Sequence, residues 1–82
     1  MKEGIQIFED TREVEEITGA ITKIAQGVVD GNSHYYIMIE NSNDIFDVLV
    51  VDYLDIIRYE VGDMITMEYK VDSAVNIVHS IK

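Results

Sequence analysis

The amino-acid sequence predicts an all-β domain with small α content, built as a five-stranded antiparallel β-barrel. The chain has 82 residues, the length of one domain with a single small core. Its apolar runs are short and are separated at regular intervals by Gly, Asn, Asp and Ser, a spacing typical of a small sandwich or barrel. Proline is absent, so the turns depend on Gly, Asn and Asp, which accept a positive φ.

The first strand is expected over residues 17–29, ITGAITKIAQGVV. The alternation that begins with Ile17 and Ile21 shifts phase at Ile24, which indicates a bulge or a sharp bend within one long strand. The Asp-Gly pair at 30–31 follows, flanked by apolar alternation. That pattern is typical of a tight hairpin, so the chain is expected to reverse direction there.

The second strand is expected over residues 34–40, HYYIMIE, with side chains alternating between two faces. The more apolar set is assigned to the core: Tyr35, Ile37 and Ile39. The opposite face carries His34, Tyr36, Met38 and Glu40.

The third strand is expected over residues 45–52, IFDVLVVD. Asp47 should face solvent, and the period of two then turns Leu49 and Val51 outward with it. Two outward aliphatic side chains on one strand need cover, from residues 1–15, from another element or from a partner.

The alternation breaks at residues 53–60, YLDIIRYE, where Leu54 and Ile57 lie three positions apart. A helix of one to two turns fits this segment, with Asp52 as its N-cap. Gly62 and Asp63 then form a turn into a fourth strand, and VNIVHSIK supplies a fifth. The expected core is Ile17, Ile21, Tyr35, Ile37, Ile39, Phe46, Val48, Val50, Leu54, Ile57, Ile65, Met67 and Tyr69.

Three stretches of this pattern resemble an OB-fold, a small five-stranded Greek-key barrel. ITGAITKI resembles the opening of its first strand, the short helix resembles its usual insertion between strands 3 and 4, and YEVGDMITMEY is similar to the start of its fourth strand. The resemblance covers residues 16–82 and concerns the fold, not a particular family. Residues 1–15 form an acidic N-terminal segment: GIQIF suits an extra strand, DTREVEEI a helical turn, and the whole segment a lid.

The charge of the chain narrows the classes of partner. Sixteen acidic residues against six basic ones give a net charge of −10, which disfavours nucleic-acid backbones and anionic membranes. No apolar run is long enough to span a membrane, and the N-terminus has no signal-peptide pattern, so a soluble, cytoplasmic protein is expected. Cysteine is absent, which excludes disulfides and thiol chemistry.

The resemblance implies a binding module that uses the face of strands 2 and 3. A protein partner, a homodimer contact or a small ligand is expected there, and the candidate contact residues are His34, Tyr36, Met38, Leu49 and Val51. The alternative is weak binding of single-stranded nucleic acid through Lys23, His34 and Tyr36, by stacking and charge. A metal-dependent enzyme is a distant third function.

Catalytic and metal sites are not expected. Ser33–His34 and His79–Ser80 are adjacent on strands, so their side chains point to opposite faces and cannot form a nucleophile–base pair. DGNSH offers Asp30, Asn32 and His34 but lacks the remaining ligands of a calcium loop. The prediction is therefore a non-enzymatic domain without a cofactor.

Overall fold

Five strands close into a barrel in the computed structural model, which describes residues 14–82. The strands are β1 (Val14–Val29), β2 (Asn32–Ile39), β3 (Phe46–Leu49), β4 (Met64–Val71) and β5 (Asn76–Ile81). Their order around the barrel is β1-β2-β3-β5-β4, and β4 pairs with β1 to close it. The expected five-stranded, OB-like barrel is confirmed.

One strand pair runs parallel, where the sequence was expected to give an antiparallel barrel throughout. β3 and β5 pair in parallel through Phe46–Asn76 and Asp47–Ile77, while every other neighbouring pair is antiparallel. The reason is geometric. Strand directions that alternate around a ring of five cannot close without one parallel pair, because five is odd.

The long first strand serves two partners. Its first half pairs with β4, from Val14–Lys70 to Ala20–Met64, and its second half pairs with β2 after a register shift between Ile21 and Lys23. The phase shift read from the sequence is this bulge. Gly19 lies close to the point where β1 changes its partner from β4 to β2. An ideal Cβ at Gly19 would lie 2.6 Å from Cγ2 of Ile39, so a side chain does not fit there without movement of its neighbours.

The turns form where Gly, Asn and Asp predicted them. Asp30 and Gly31 have φ values of 52° and 81°, as the hairpin between β1 and β2 requires. Asn41 has a φ of 66° after β2, and Gly62 has a φ of 100° before β4. Each residue therefore supplies the left-handed backbone that most side chains resist.

The connection between β3 and β4 consists of two short 3-10 segments, Val50–Asp52 and Leu54–Arg58, not an α-helix. We call residues 50–58 the barrel cap, because Ile56 reaches the core from it and is fully buried. Asp52 does not act as the expected N-cap: Tyr53 occupies that position, without a side-chain hydrogen bond.

The prediction that Leu54 and Ile57 belong to the core is wrong. They are 63% and 59% exposed, and Ile56 is buried in their place. A 3-10 helix has three residues per turn, so side chains three apart lie on the same side. Leu54 and Ile57 accordingly share the solvent side when Ile56 faces inward.

Most of the remaining core prediction is confirmed. The buried cluster contains Ile21, Ile37, Ile39, Phe46, Val48, Ile65, Met67 and Tyr69, together with Ile56 and Val78, which were not predicted. Ile17, Tyr35 and Val50 are only partly buried and pack against this cluster. The ring of Tyr69 meets that of Phe46 edge-on at 4.9 Å between centroids, a favourable aromatic geometry.

The N-terminal predictions are tested only in part. Residues 1–13, with the expected extra strand GIQIF and most of DTREVEEI, lie outside the described residues. The last residues of DTREVEEI, Val14–Ile17, belong to β1 and are not helical. Within residues 14–82, no helix is long and apolar enough to cross a membrane.

Candidate functional site

A histidine and an aspartate form a close pair on the outer side of the barrel. Nδ1 of His34 on β2 lies 2.7 Å from Oδ1 of Asp47 on β3. The two side chains are 17% and 16% exposed, so the pair is largely shielded from water although it stands outside the core. A hydrogen bond to a carboxylate in such a position is stronger than one between neutral groups and fixes the orientation of the imidazole ring.

Tyr36 extends this arrangement along β2. Its ring is nearly parallel to that of His34, with 6.0 Å between centroids and 9° between planes. An ideal Cβ at Gly27 on β1 would lie 3.1 Å from Cε2 of Tyr36, so the tyrosine ring leans over the space that the glycine leaves. His34 therefore contacts Asp47 through a hydrogen bond and Tyr36 through a ring stack, and we call these three residues the outer triad.

A groove opens beside the outer triad where β3 and β5 separate. β3 pairs with β5 only near Asp47 and Ile77 and then leaves the sheet for the cap. The resulting groove has a volume of about 290 Å³. It is lined by His34, Asp47, Leu49, Asp52, Tyr53, Ile77, Val78 and His79.

Tyr53 gives the groove a perturbed hydroxyl at its cap end. Burial raises the pKa of Tyr53 above its ordinary value, and the neighbouring Asp52 carboxylate raises that pKa further. The Tyr53 phenol, like other tyrosines, is a neutral hydrogen-bond donor and acceptor at neutral pH.

Four of the five predicted contact residues lie on one face. His34 is opposite Leu49 in the β2–β3 register, and Tyr36 and Met38 follow His34 on the same side of β2. All four are partly buried, so they keep some surface that a partner can cover. We call His34, Tyr36, Met38, Asp47 and Leu49 the β2–β3 face.

Val51 does not belong to that face, contrary to expectation. β3 ends at Leu49, and Val51 lies in the first 3-10 segment, where it is 63% exposed and lines a different groove with Leu54 and Ile81. β3 ends two residues before Val51, so the strand alternation that placed Val51 beside Leu49 does not reach it. Lys23, the cation of the nucleic-acid alternative, is exposed on β1 opposite Met38.

Ile77 and His79 are functional candidates that the sequence did not reveal as neighbours of His34. Their outward position follows from the alternation of β5, since Val78 between them is buried. Their nearness to β3 does not follow from it, because barrel closure brings β5 beside β3 from far along the chain. The role of Asp47 was missed for a similar reason: it reads as an ordinary solvent-facing carboxylate.

The chemistry that this groove can support is recognition by polar and aromatic groups. The residues that line this groove include no serine, threonine or cysteine, while Ser33 lines a neighbouring groove together with His34. Within residues 14–82, no three His, Cys, Asp or Glu side chains are arranged to hold a metal ion.

No protein-family model matches this chain, and comparisons with curated proteins and with solved structures gave no significant match. What the barrel does is therefore inferred from its own side chains.

Proposed function

We propose that this barrel is a non-catalytic binding module that holds a segment of another protein on the β2–β3 face and in the groove beside it. The observation that carries the proposal is the outer triad. A 2.7 Å hydrogen bond between His34 and Asp47 and a ring stack between His34 and Tyr36 orient its three side chains. Both contacts lie on the outer surface of the barrel, outside the core. A surface whose side chains are already ordered loses less conformational entropy when it binds.

The composition of the face supports a protein partner. Aromatic side chains and methionine are enriched at protein interfaces, and Tyr36 and Met38 lie side by side on β2 next to Leu49 on β3. The triad adds directional hydrogen-bonding groups beside these apolar contacts. Together they offer the mixture of apolar centre and polar rim that a peptide segment needs.

The size of the groove disfavours a small molecule as the main ligand. Its volume of about 290 Å³ falls at the lower limit of small-molecule sites, ~300–1,000 Å³, which enclose most of their ligand. A segment that lies along β2 and β3 would use the face as well as the groove, so the available contact surface suits a chain better than a compact ligand.

The charges disfavour the nucleic-acid alternative. Among residues 14–82, β1 places one base, Lys23, opposite the face, where it pairs with Met38, while Asp47 and Asp52 both line the groove. A bound strand gains most of its affinity from Lys and Arg that neutralise phosphates. Carboxylates in the same place would repel the backbone, although Tyr36 could stack on a base.

The test is a selection that does not assume the partner. A displayed random peptide library is panned on the wild-type protein, and the enriched peptides are titrated against variants. We expect Tyr36→Ala to weaken the enriched peptides by about tenfold, the loss typical of truncating an aromatic anchor. Val14→Ala is the control, because Val14 is exposed at the start of β1 and pairs with Lys70, away from the face.

The outcomes separate the candidate functions. Peptides that lose affinity with Tyr36→Ala but not with Val14→Ala support the proposal, provided that both variants keep the wild-type circular dichroism and melting temperature. Peptides that bind the wild type and Tyr36→Ala with equal affinity contradict the proposal. A single-stranded oligonucleotide titrated at low and at physiological salt provides the third arm, and binding that survives physiological salt would favour the nucleic-acid alternative.

A further inference from the structure

A second apolar surface extends from the barrel cap into the turn before β4, over residues 51–64. In this subsection the cap includes that turn. Five aliphatic side chains between the end of β3 and the start of β4 each expose about three-fifths of their area. They are Val51, Leu54, Ile57, Val61 and Met64. Exposed apolar patches on a protein surface are often interaction sites.

Packing inside the barrel does not account for these side chains. Ile56 is fully buried at this end of the core, Val50, Tyr53 and Tyr59 pack against the core beside it, and Leu54 and Ile57 remain exposed. A polar residue at either position would leave the core unchanged. The cap therefore carries apolar surface that packing among residues 14–82 does not use.

The apolar side chains border grooves on more than one side of the cap. Val51 and Leu54 line a groove of about 360 Å³ that reaches Ile81, and Met64 lines a second of about 420 Å³ beside Arg58. Asp55 and Tyr59 line both, so the two grooves adjoin. The two adjoining grooves give a partner segment two depressions beside the apolar side chains.

The charges around the cap identify the chemistry of that segment. Two cations, Arg58 and Lys82, line these grooves, and Lys82 is already paired with Glu16 and Glu68. Four exposed carboxylates outnumber them around the apolar side chains. They are Asp52, Asp55, Glu60 and Asp63. A second copy of this chain would bring the same excess of carboxylates against itself, and residues 1–13 carry four acids against two bases. An anionic lipid surface would also be repelled.

We infer that the cap docks a basic amphipathic segment of another protein. Its apolar side chains would cover Leu54, Ile57 and Met64, while flanking Lys or Arg side chains would pair with Asp55 and its neighbours. This site adjoins the β2–β3 face, because Asp52 also lines the groove beside that face and Ile57 lines a groove with His34. Leu54 and Met64 line neither of those two grooves, so binding at the cap is tested independently of the function proposed for the face.

The test uses a synthetic Leu–Lys peptide with an amphipathic helical pattern as the probe, and a Leu–Glu peptide of the same pattern as its charge-reversed control. Backbone amide shifts of the whole chain are followed during the titration. We expect the Leu–Lys peptide to shift amides within residues 51–64 and the Leu–Glu peptide to shift none of them. Binding should weaken as salt is raised, because the rim pairs are exposed.

Matched variants distinguish docking from general attraction to an acidic protein. The double variant Leu54→Ser with Ile57→Ser should weaken the Leu–Lys peptide by about tenfold, as the loss of two central apolar contacts does. Asp55→Asn should weaken it more than Asp30→Asn, which removes the same charge at the hairpin. Tyr36→Ala should leave it unchanged. All substituted side chains of the cap are exposed, so each variant is expected to keep the wild-type melting temperature.

Three results would overturn the inference. The first is equal affinity of the Leu–Lys peptide for the wild type and for the Leu54/Ile57 double variant, which would mean attraction by net charge alone. The second is a set of shifts confined to residues outside 51–64. The third is a wild-type dimer that the double variant abolishes, which would make a second copy the occupant.

Discussion

Nδ1 of His34 lies 2.7 Å from Oδ1 of Asp47, and this contact joins two neighbouring strands on the outside of the barrel. A carboxylate can only accept a hydrogen bond, so Nδ1 of His34 must carry the proton in the neutral as well as in the protonated imidazole. The remaining ring nitrogen, Nε2, is then the atom left for a partner, as an acceptor when the ring is neutral.

This contact makes a prediction about the histidine tautomer. Nitrogen–proton correlation spectra above the titration range of histidine should show Nδ1–H at His34. Replacement of the carboxylate by an apolar side chain of similar size, Asp47→Leu, should remove that preference. His79 is exposed and serves as the reference in the same spectra. An Nε2–H tautomer at His34 in the wild type would show that the hydrogen bond to Asp47 does not form in solution.

The second prediction concerns the cap. Ile56→Ala should lower the free energy of unfolding by about 2–5 kcal/mol, the cost of truncating a fully buried isoleucine. Leu54→Ala and Ile57→Ala should each change it by no more than about 0.5 kcal/mol, because both side chains are exposed. Urea unfolding of the three variants makes the comparison. Equal losses of unfolding free energy from substitutions at residues 54, 56 and 57 would contradict the 3-10 arrangement. They would favour the helix that the sequence predicted.

The third prediction concerns the close approach of Gly19 to Ile39. Gly19→Ala should destabilise the barrel by about 1–3 kcal/mol, since the new methyl meets Cγ2 of the buried, β-branched Ile39. Ile39→Leu removes that particular methyl group. The cost of Gly19→Ala should therefore be smaller in the Ile39→Leu background, and a double-mutant cycle measures the difference. Additive costs would mean that the two residues do not meet.

The fourth prediction concerns alkaline pH. Burial raises the pKa of Tyr69 above its ordinary value of 10.0, and the charge of Glu15 and the hydrogen bond to it raise that pKa further. Burial likewise raises the pKa of Tyr53. Of the five tyrosines, these two should ionise late in an absorbance titration, and Tyr53→Phe and Tyr69→Phe should each remove part of the late phase.

The sign of the stability effect follows from these raised pKa values. Below pH 10 both phenols are neutral in the folded and unfolded chain, and their contribution to stability is complete. Above it the unfolded chain loses their protons first, so the free energy of unfolding should fall as pH rises through the folded pKa values. The fall should be shallower in Tyr69→Phe. A single tyrosine phase at the ordinary pKa, with no such fall, would contradict the burial of these hydroxyls.

The strands could be predicted from sequence because their signals are local. Alternation assigned Ile37, Ile39 and Val48 to the core, and the Asp30–Gly31 pair marked its hairpin, since both depend on residues next to one another in the chain. The cap could not be predicted in the same way. Leu54 and Ile57 have the spacing of a buried helical face, and the same spacing describes the exposed side of a 3-10 segment.

Only part of the candidate site could be predicted from the sequence, for a different reason. His34, Tyr36 and Met38 share a strand, so their common face follows from the period of two. Asp47 joins His34 through strand pairing, and Ile77 and His79 arrive through closure of the barrel. These contacts depend on register and topology, which no local pattern of residue types specifies.

The most direct test of the central claim is an amide shift map of the isotope-labelled protein with a peptide enriched by panning on the wild type. If the β2–β3 face is the binding surface, the largest shifts should fall at residues 34–38 and 47–49, with smaller ones at 77–79 across the groove. They should shrink with Tyr36→Ala at the same peptide concentration. Shifts confined to the cap or to the strands away from this face, unaffected by Tyr36→Ala, would contradict the account.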